Sequence, residues 1–231
     1  MNKYAISDIH GCQKSFLALL DKIAFSKNDE LFLLGDYVDR GPDSKGVLDV
    51  IFDLQKKGYT LHCLRGNHEA ILLRSLYDLM GLDIWLQTDG KRTLDSFGVQ
   101  RTDEIPEVYL EFLRELDYFF EVDGYILVHA GLNFNLFDPL EDTRDLLVIR
   151  SWYDSVRYDW LGERVILHGH TPMARNSIEN QLLELTTNRY LDLDAGCVYA
   201  GSDRPERAGL GHLCAFDMTN RRLFFQKNVD G

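Results

Sequence analysis

Short, continuous apolar runs alternate with amphipathic segments over the first seventy residues. The runs at 4–6, 31–34 and 59–64 have the length and composition of buried strands. Between them, apolar residues recur at helical spacing over 16–23 and over 47–54. This alternation predicts a β-α-β-α-β unit with parallel strands and helical crossovers, which places the chain in the α/β class.

The rest of the chain changes from helical to strand-like patterning. Apolar residues keep helical spacing over about 70–121, with a polar break at 88–92, so we expect a helical insertion there rather than a second domain. Strands are then predicted at 125–128, 165–167, 213–216 and 223–225, with the last two forming a terminal hairpin. We therefore expect one α/β domain over 1–231, a length that can bury a substantial core.

A cluster of polar residues directly follows each of five predicted strands. The clusters are Asp8–Gly11, Gly35–Gly41, Arg65–Glu69, His129–Gly131 and His168–Thr171. Because α/β folds place ligand sites at the carboxyl ends of parallel strands, these clusters are expected to converge at one edge of the sheet.

Six side chains in these clusters have the chemistry of metal ligands. They are Asp8, His10, Asp36, Asn67, His129 and His170. Any one of them alone is as typical of a capped turn or a structural histidine. Together, after successive strands, this mixed oxygen and nitrogen set suits two divalent ions such as manganese, iron or zinc, bridged by a carboxylate.

Composition limits the partners that the protein can have. The formal net charge of −12 argues against nucleic acid as the main partner, because phosphate backbones are bound by basic surfaces. Anionic small substrates stay open, since bound metal ions supply positive charge locally. The chain has no bilayer-length apolar run, no evident signal peptide and four cysteines outside metal-binding spacing. We therefore expect a cytoplasmic protein with reduced thiols and no membrane partner.

The motifs resemble those of the phosphoprotein phosphatase family within the calcineurin-like metallophosphoesterases. The chain carries SDIHG at 7–11, GDYVDRG at 35–41, RGNHE at 65–69, HAG at 129–131 and HGHTP at 168–172. Two departures are Ser7, where the family usually has glycine, and Ala195, where a late strand-end motif usually has threonine. The resemblance is closer to bacterial and phage members than to eukaryotic ones. It implies a β-sandwich flanked by helices around a β-α-β-α-β metal-binding core.

The resemblance also implies how the ligands divide between two metal ions. One ion is expected on Asp8, His10 and Asp36. The other is expected on Asn67, His129 and His170, with Asp36 bridging the two. His170 matches the family ligand, whereas His168 is expected to be structural. Manganese is the expected metal, with iron or zinc as alternatives.

Catalytic groups are implied by the same resemblance. Four residues are expected to contact the phosphoryl group of the substrate: Arg40, Asn67, Arg150 and Tyr199. A hydroxide generated between the two ions would attack phosphorus. His68 is expected to protonate the leaving oxygen, while Asp39 orients His68 and raises the pKa of its imidazole.

The sequence leaves the substrate open between two kinds of phosphate ester. We interpret the chain first as a protein serine/threonine phosphatase that hydrolyses phosphate monoesters. A dinucleoside polyphosphate hydrolase, acting for example on diadenosine tetraphosphate, shares the same motif frame and is the alternative. A catalytically inactive binding module is a third hypothesis, which the complete set of ligands, acid and arginine disfavours. Arg204 and Arg207 either contact a second phosphate or lie on solvated surface, and the sequence does not specify the oligomeric state.

Overall fold

The computed structural model describes residues 1–231 as nine strands and ten α-helices joined by turns and short 3₁₀ segments. The strands are β1 (Lys3–Ile6), β2 (Glu30–Leu33), β3 (Thr60–Cys63), β4 (Phe119–Val122), β5 (Tyr125–Val128), β6 (Val165–His168), β7 (Tyr190–Asp192), β8 (His212–Asp217) and β9 (Arg222–Lys227). The helices are α1 (Gln13–Lys22), α2 (Ser44–Lys56), α3 (Asn67–Ser75), α4 (Leu79–Gln87), α5 (Gly90–Phe97), α6 (Glu107–Arg114), α7 (Thr143–Val148), α8 (Tyr158–Leu161), α9 (Arg175–Leu183) and α10 (Leu185–Asn188).

The strands form two mixed sheets. The first has the order β3-β2-β1-β8-β9, with β1, β2 and β3 parallel and β8 antiparallel to β1. The second has the order β4-β5-β6-β7, in which β5, β6 and β7 are parallel. The β-α-β-α-β unit and the terminal β8–β9 hairpin are confirmed.

The two sheets pack face to face, as in a β-sandwich. Phe32 and Phe216 of the first sheet share a buried core with Leu127 and Leu191 of the second. The outer face of the first sheet packs on helices through a larger core, which contains Phe16 of α1 and side chains of α2 and α4–α6. The observed architecture is therefore the predicted sandwich flanked by helices.

The insertion ends earlier than its sequence pattern predicts. Helices occupy the segment only as far as Arg114, and 119–122 is strand β4, paired antiparallel with β5. Asp123 and Gly124 connect the two strands with positive φ values of 49° and 81°, as a tight hairpin turn requires. The Asp-Gly pair lies just after the segment that we assigned to helix, and it is a hairpin signal that argues for a strand before it.

The polar break within the insertion is also shorter than predicted. Only Thr88 and Asp89 separate α4 from α5, because the left-handed backbone of Asp89, with φ at 68°, turns the chain directly into the next helix. Strand β7 was implied only by the strand-end motif that contains Ala195, since three residues are too few to show a periodic pattern. None of the helices has the length and apolar character needed to cross a membrane.

Candidate active site

The carboxyl ends of both sheets meet at one place, and the six predicted ligands lie there. Asp8 and His10 follow β1, Asp36 follows β2, and Asn67 begins α3 after β3. His129 and His170 follow β5 and β6 of the other sheet. The backbone N–H of His170 donates to Asp8 Oδ2 at 3.0 Å, which ties the two sheets together at the site.

The donor atoms form two groups that share Asp36. His10 Nε2 lies 3.4 Å from Asp36 Oδ2 and 3.9 Å from Asp8 Oδ1. On the other side, His129 Nε2 lies 3.6 Å from Asp36 Oδ1 and 3.0 Å from Asn67 Oδ1. Asp36 thus directs one carboxylate oxygen to each group, which is the geometry required of a bridging ligand.

The imidazole tautomers fit metal binding. Nδ1 of His10 donates to the Val38 carbonyl and Nδ1 of His129 to the Leu34 carbonyl, each at 2.8 Å. These bonds turn the Nε2 lone pairs toward the cluster, the orientation that metal-binding histidines usually have. In the neutral form of His129, its Nε2 lone pair faces Asn67 Oδ1, and two acceptors at that distance repel unless a cation lies between them. The donor set therefore fits a pair of divalent ions.

The backbone at the site is held in unusual conformations. Half of the twelve non-glycine residues with positive φ belong to it: Asp8, His10, Asp36, Asp39, Arg40 and His170. Such conformations cost free energy and persist only where the surrounding structure enforces them, and they concentrate at functional sites.

Glu69 enforces part of this geometry. Its fully buried carboxylate accepts hydrogen bonds from the backbone N–H groups of Asp36 and Gly66 through Oε2, at 2.9 and 2.8 Å. Oε1 accepts from Tyr37 at 2.8 Å and from Val38 at 3.3 Å. One side chain therefore joins the loops that follow β2 and β3. The sequence alone predicts no role for Glu69, although this residue lies within the RGNHE motif.

The loops approach so closely that Gly66 admits no side chain. A Cβ atom at Gly66 would lie 2.1 Å from Asp36 Oδ1 and 2.4 Å from the Asp36 backbone nitrogen. Both are far below contact distance, so glycine is required here for the bridging carboxylate to reach the cluster.

His68 and Asp39 form a buried pair beside the metal ligands. His68 Nδ1 lies 2.7 Å from Asp39 Oδ2, and the rings of His68 and His10 are 4.7 Å apart. Asp39 also accepts hydrogen bonds from Trp85 Nε1 at 3.0 Å and from Thr93 Oγ1 at 2.6 Å. The helical insertion thus reaches the site through α4 and α5, a connection that apolar spacing alone could not reveal.

The pKa of His68 differs from the sequence-based expectation. Burial lowers the pKa of His68 well below its ordinary value, and Arg40 lowers it further. Burial raises the pKa of Asp39 to about 7, although Thr93 and Trp85 oppose the shift. In both groups desolvation is the largest cause of the shift, and it disfavours the charged form of each.

The predicted phosphate-binding groups surround the cluster. Arg40 Nη1 donates to His10 Nε2 at 2.7 Å, and its guanidinium lies 5.8 Å from the centre of the Tyr199 ring. Arg150 Nη1 donates to Thr171 Oγ1 at 2.8 Å, next to His170. Arg40, Arg150 and Tyr199 are therefore all placed within or beside the site.

His168 lies outside the donor groups. It is buried behind the site, with its ring 5.1 Å from that of Trp152, and burial lowers its pKa to about 4. Nearby, burial raises the pKa values of two further carboxylates, Asp192 and Asp194, which were not among the predicted site residues. Only the strand-end position of Asp194 was a signal for either of them.

Comparison with known proteins places the chain in a family. A family model for the calcineurin-like phosphoesterases matches residues 1–201, and the chain belongs to this family. Its members are metal-dependent phosphoesterases, so the coarse class inferred from the motifs is confirmed.

Several relatives are named bis(5'-nucleosyl)-tetraphosphatases, of a symmetrical or an asymmetrical type. A symmetrical bis(5'-nucleosyl)-tetraphosphatase from Nitrosomonas europaea is 35% identical over 57% of this chain, and the match covers only 45% of that relative. Asymmetrical bis(5'-nucleosyl)-tetraphosphatases from Oceanobacillus iheyensis and Halalkalibacterium halodurans are 24% and 26% identical. These two matches cover 84% and 85% of this chain, and 83% and 86% of the relatives.

Solved structures share the fold at low identity. A crystal structure assigned to a candidate diadenosine tetraphosphatase covers all of this chain with a TM-score of 0.66, 22% identity and 95% of its own length matched. A protein serine/threonine phosphatase from Saccharomyces cerevisiae also gives a TM-score of 0.66, at 16% identity, with 81% of its length matched. At these identities the likeness establishes the fold alone.

Proposed function

We propose that the protein hydrolyses dinucleoside polyphosphates such as diadenosine tetraphosphate, using two divalent metal ions. The geometry that carries the phosphoesterase part is the pair of donor groups sharing Asp36, with the His68–Asp39 pair beside them. The substrate part is supported by the relatives that match most of the chain, which are named bis(5'-nucleosyl)-tetraphosphatases.

The protein's own groups have distinct roles in this proposal. Metal ions bound at the site would supply a water molecule activated for attack on phosphorus. Arg40 and Arg150 would bind phosphoryl oxygens through charge-assisted hydrogen bonds. His68 would protonate the leaving oxygen from Nε2, while Nδ1 stays paired with Asp39 and the buried contacts of Asp39 hold the imidazole in place.

The protein serine/threonine phosphatase interpretation now ranks second. It came first from the motif resemblance, but the relatives' names support the dinucleotide alternative instead. The likeness to the yeast protein phosphatase bears on the fold, which both functions share. An inactive binding module has no support from a site in which all six ligands, His68 and Arg40 lie together.

A side-by-side assay tests the proposal. With added Mn²⁺, we expect kcat/KM for diadenosine tetraphosphate to exceed that for a phosphoserine or phosphothreonine peptide by at least about tenfold. Asp36→Asn, which removes the bridging carboxylate, serves as the inactive control for contaminating phosphatases. A preference for the phosphopeptide would rank the protein phosphatase above the dinucleoside polyphosphate hydrolase. Chromatography of the nucleotide products would identify the bond cleaved.

Metal identity and location belong to the same proposal. We take manganese as the working metal, with iron or zinc as alternatives, because the ligands mix oxygen and imidazole donors. All four cysteines are free thiols, which fits the cytoplasmic location that we propose. The net charge of −12 supports a small anionic substrate held by metal ions rather than nucleic acid.

A further inference from the structure

A polar cavity of about 410 Å³ opens beside the metal ligands. It lies between the α4–α5 junction of the helical insertion and the loop that follows β7. Its lining includes Arg40, Thr88, Asp89, Arg92, Tyr199 and Arg207. The sequence alone predicts no cavity here and leaves Arg207 open between phosphate contact and solvated surface.

The cavity is positively charged in a strongly acidic protein. Three guanidinium groups and one carboxylate, that of Asp89, line it, whereas the whole chain has a formal net charge of −12. None of the three arginines pairs with a carboxylate, although six other arginines of the chain do so. Unpaired guanidinium groups in a concave site are suited to binding phosphate oxygens.

Tyr199 holds two of these arginines in one place. The Arg207 guanidinium lies 4.0 Å from the centre of its ring, and the Arg40 guanidinium lies 5.8 Å from the same centre. Arg40 in turn contacts His10 at the metal cluster. The cavity is therefore continuous with the reaction centre, and cations are spaced outward from it.

We infer that this cavity binds the phosphate groups beyond the phosphorus under attack, and that Arg92 and Arg207 make the protein selective for polyphosphates. A phosphate monoester would occupy the metal cluster, Arg40 and Arg150 and would leave Arg92 and Arg207 without a partner. A polyphosphate chain carries further negative charges that would extend from Arg40 into the cavity. This inference rests on the proposed function for its natural substrate, but the ligand chemistry can be tested alone.

Arginine variants test the selectivity. We expect Arg207→Gln and Arg92→Gln each to lower kcat/KM for diadenosine tetraphosphate at least tenfold more than kcat/KM for p-nitrophenyl phosphate, which has one phosphate. Arg204→Gln is the matched control, because Arg204 is exposed on the same loop as Arg207 and does not line the cavity. Equal losses on both substrates, or an equal loss in Arg204→Gln, would overturn the inference.

Inorganic phosphates test binding to the cavity independently of the natural substrate. Tripolyphosphate and orthophosphate are compared as inhibitors of p-nitrophenyl phosphate hydrolysis, with the free Mn²⁺ concentration held constant. We expect tripolyphosphate to inhibit the unmodified protein more tightly, and Arg207→Gln and Arg92→Gln to lose most of that advantage. If the two substitutions weaken inhibition by tripolyphosphate and by orthophosphate equally, the cavity does not bind extended phosphates. A third outcome is that the variants lose the tighter inhibition by tripolyphosphate while the unmodified protein prefers a phosphopeptide as substrate. In that case the cavity binds extended phosphates as inferred, but the proposed function is wrong.

Discussion

At the scale of single residues, the site is a set of charges that burial disfavours. Desolvation raises the pKa of Asp36 well above its ordinary value, and the nearby carboxylates of Asp8 and Glu69 add to the shift. Desolvation also lowers the pKa of His10 well below its ordinary value, and that of His170 to about 2. Clustered carboxylates and neutral imidazoles are each costly alone in a dry site, but together they bind cations.

The protonating role of His68 can be tested by its dependence on the leaving group. His68→Asn should lower kcat by about 10²–10⁴-fold on phosphate esters of simple alcohols, since general acid catalysis contributes about that much. The loss should be at least tenfold smaller on p-nitrophenyl phosphate, whose leaving group needs less protonation. Metal content, measured by atomic emission, should stay at the unmodified level. Similar losses on both substrates would show that His68 does not supply the proton.

At the scale of elements, the helical insertion supports the catalytic pair. Helix α4 contributes Trp85 and α5 contributes Thr93, and both donate to the carboxylate of Asp39. Both side chains are fully buried, so their hydrogen bonds fix Asp39 without competition from water. The insertion therefore has a second role besides lining the arginine cavity.

Replacing Thr93 separates this positioning role from packing. Thr93→Val keeps the shape and removes the hydroxyl, so we expect a loss of about 1–2 kcal/mol in the free energy of unfolding. We also expect a roughly tenfold lower kcat on alkyl phosphates, with a smaller effect on p-nitrophenyl phosphate. Thr93→Ser keeps the hydroxyl, so its kcat on both kinds of substrate should stay close to that of the unmodified protein. If Thr93→Val and Thr93→Ser behaved alike, that result would count against the role of this hydrogen bond.

Glu69 joins two strand-end loops, and its charge matters for stability. In Glu69→Gln one carboxylate oxygen becomes an amide NH₂, which cannot accept the two backbone N–H groups that it faces. We expect a loss on the order of 2–4 kcal/mol, measured by urea unfolding. Glu104→Gln is the matched control, because Glu104 accepts from the backbone of Gln100 and Arg101 at the exposed surface. Equal losses in the two variants would contradict this account of Glu69.

At the scale of the whole molecule, the metal site lies across the junction of the two sheets. The first sheet supplies Asp8, His10, Asp36 and Asn67, and the second supplies His129 and His170. Metal ions bound here would link elements that are otherwise joined by the sandwich core and a few hydrogen bonds. Binding should therefore stabilise the folded state as a unit.

Thermal unfolding with and without metal checks this coupling. Mn²⁺ at about 100 times its dissociation constant should add about 2.7 kcal/mol of stability, because it binds the folded state. For a protein of this size, that corresponds to a rise of about 5–10 °C in Tm relative to a sample treated with EDTA. Asp36→Asn should lose most of the rise, whereas Asp103→Asn, at an exposed position, should keep it. A full rise in Asp36→Asn would place the stabilising metal elsewhere.

Much of this arrangement was accessible from local pattern. The β-α-β-α-β unit, the terminal hairpin and the ligand-bearing strand ends were predicted because periodicity and strand-end chemistry are local properties. Strand β4 was misassigned, since Phe119–Val122 continues an apolar pattern that began in helices. The roles of Trp85 and Thr93 could not be predicted, because both lie in ordinary amphipathic segments far from Asp39 in the sequence.

The sequence by itself determined the chemistry of the site, because residue types at strand ends fix which donors are available and which class of reaction they serve. Tertiary structure decided what those donors do together. It divided the ligands into two groups around Asp36 and placed His168 outside both groups. It also brought α4 and α5 against Asp39, and it placed Arg40, Arg92 and Arg207 in the lining of one cavity. These relations depend on distances between segments far apart in the chain, and such distances exist only once two sheets and an insertion have packed.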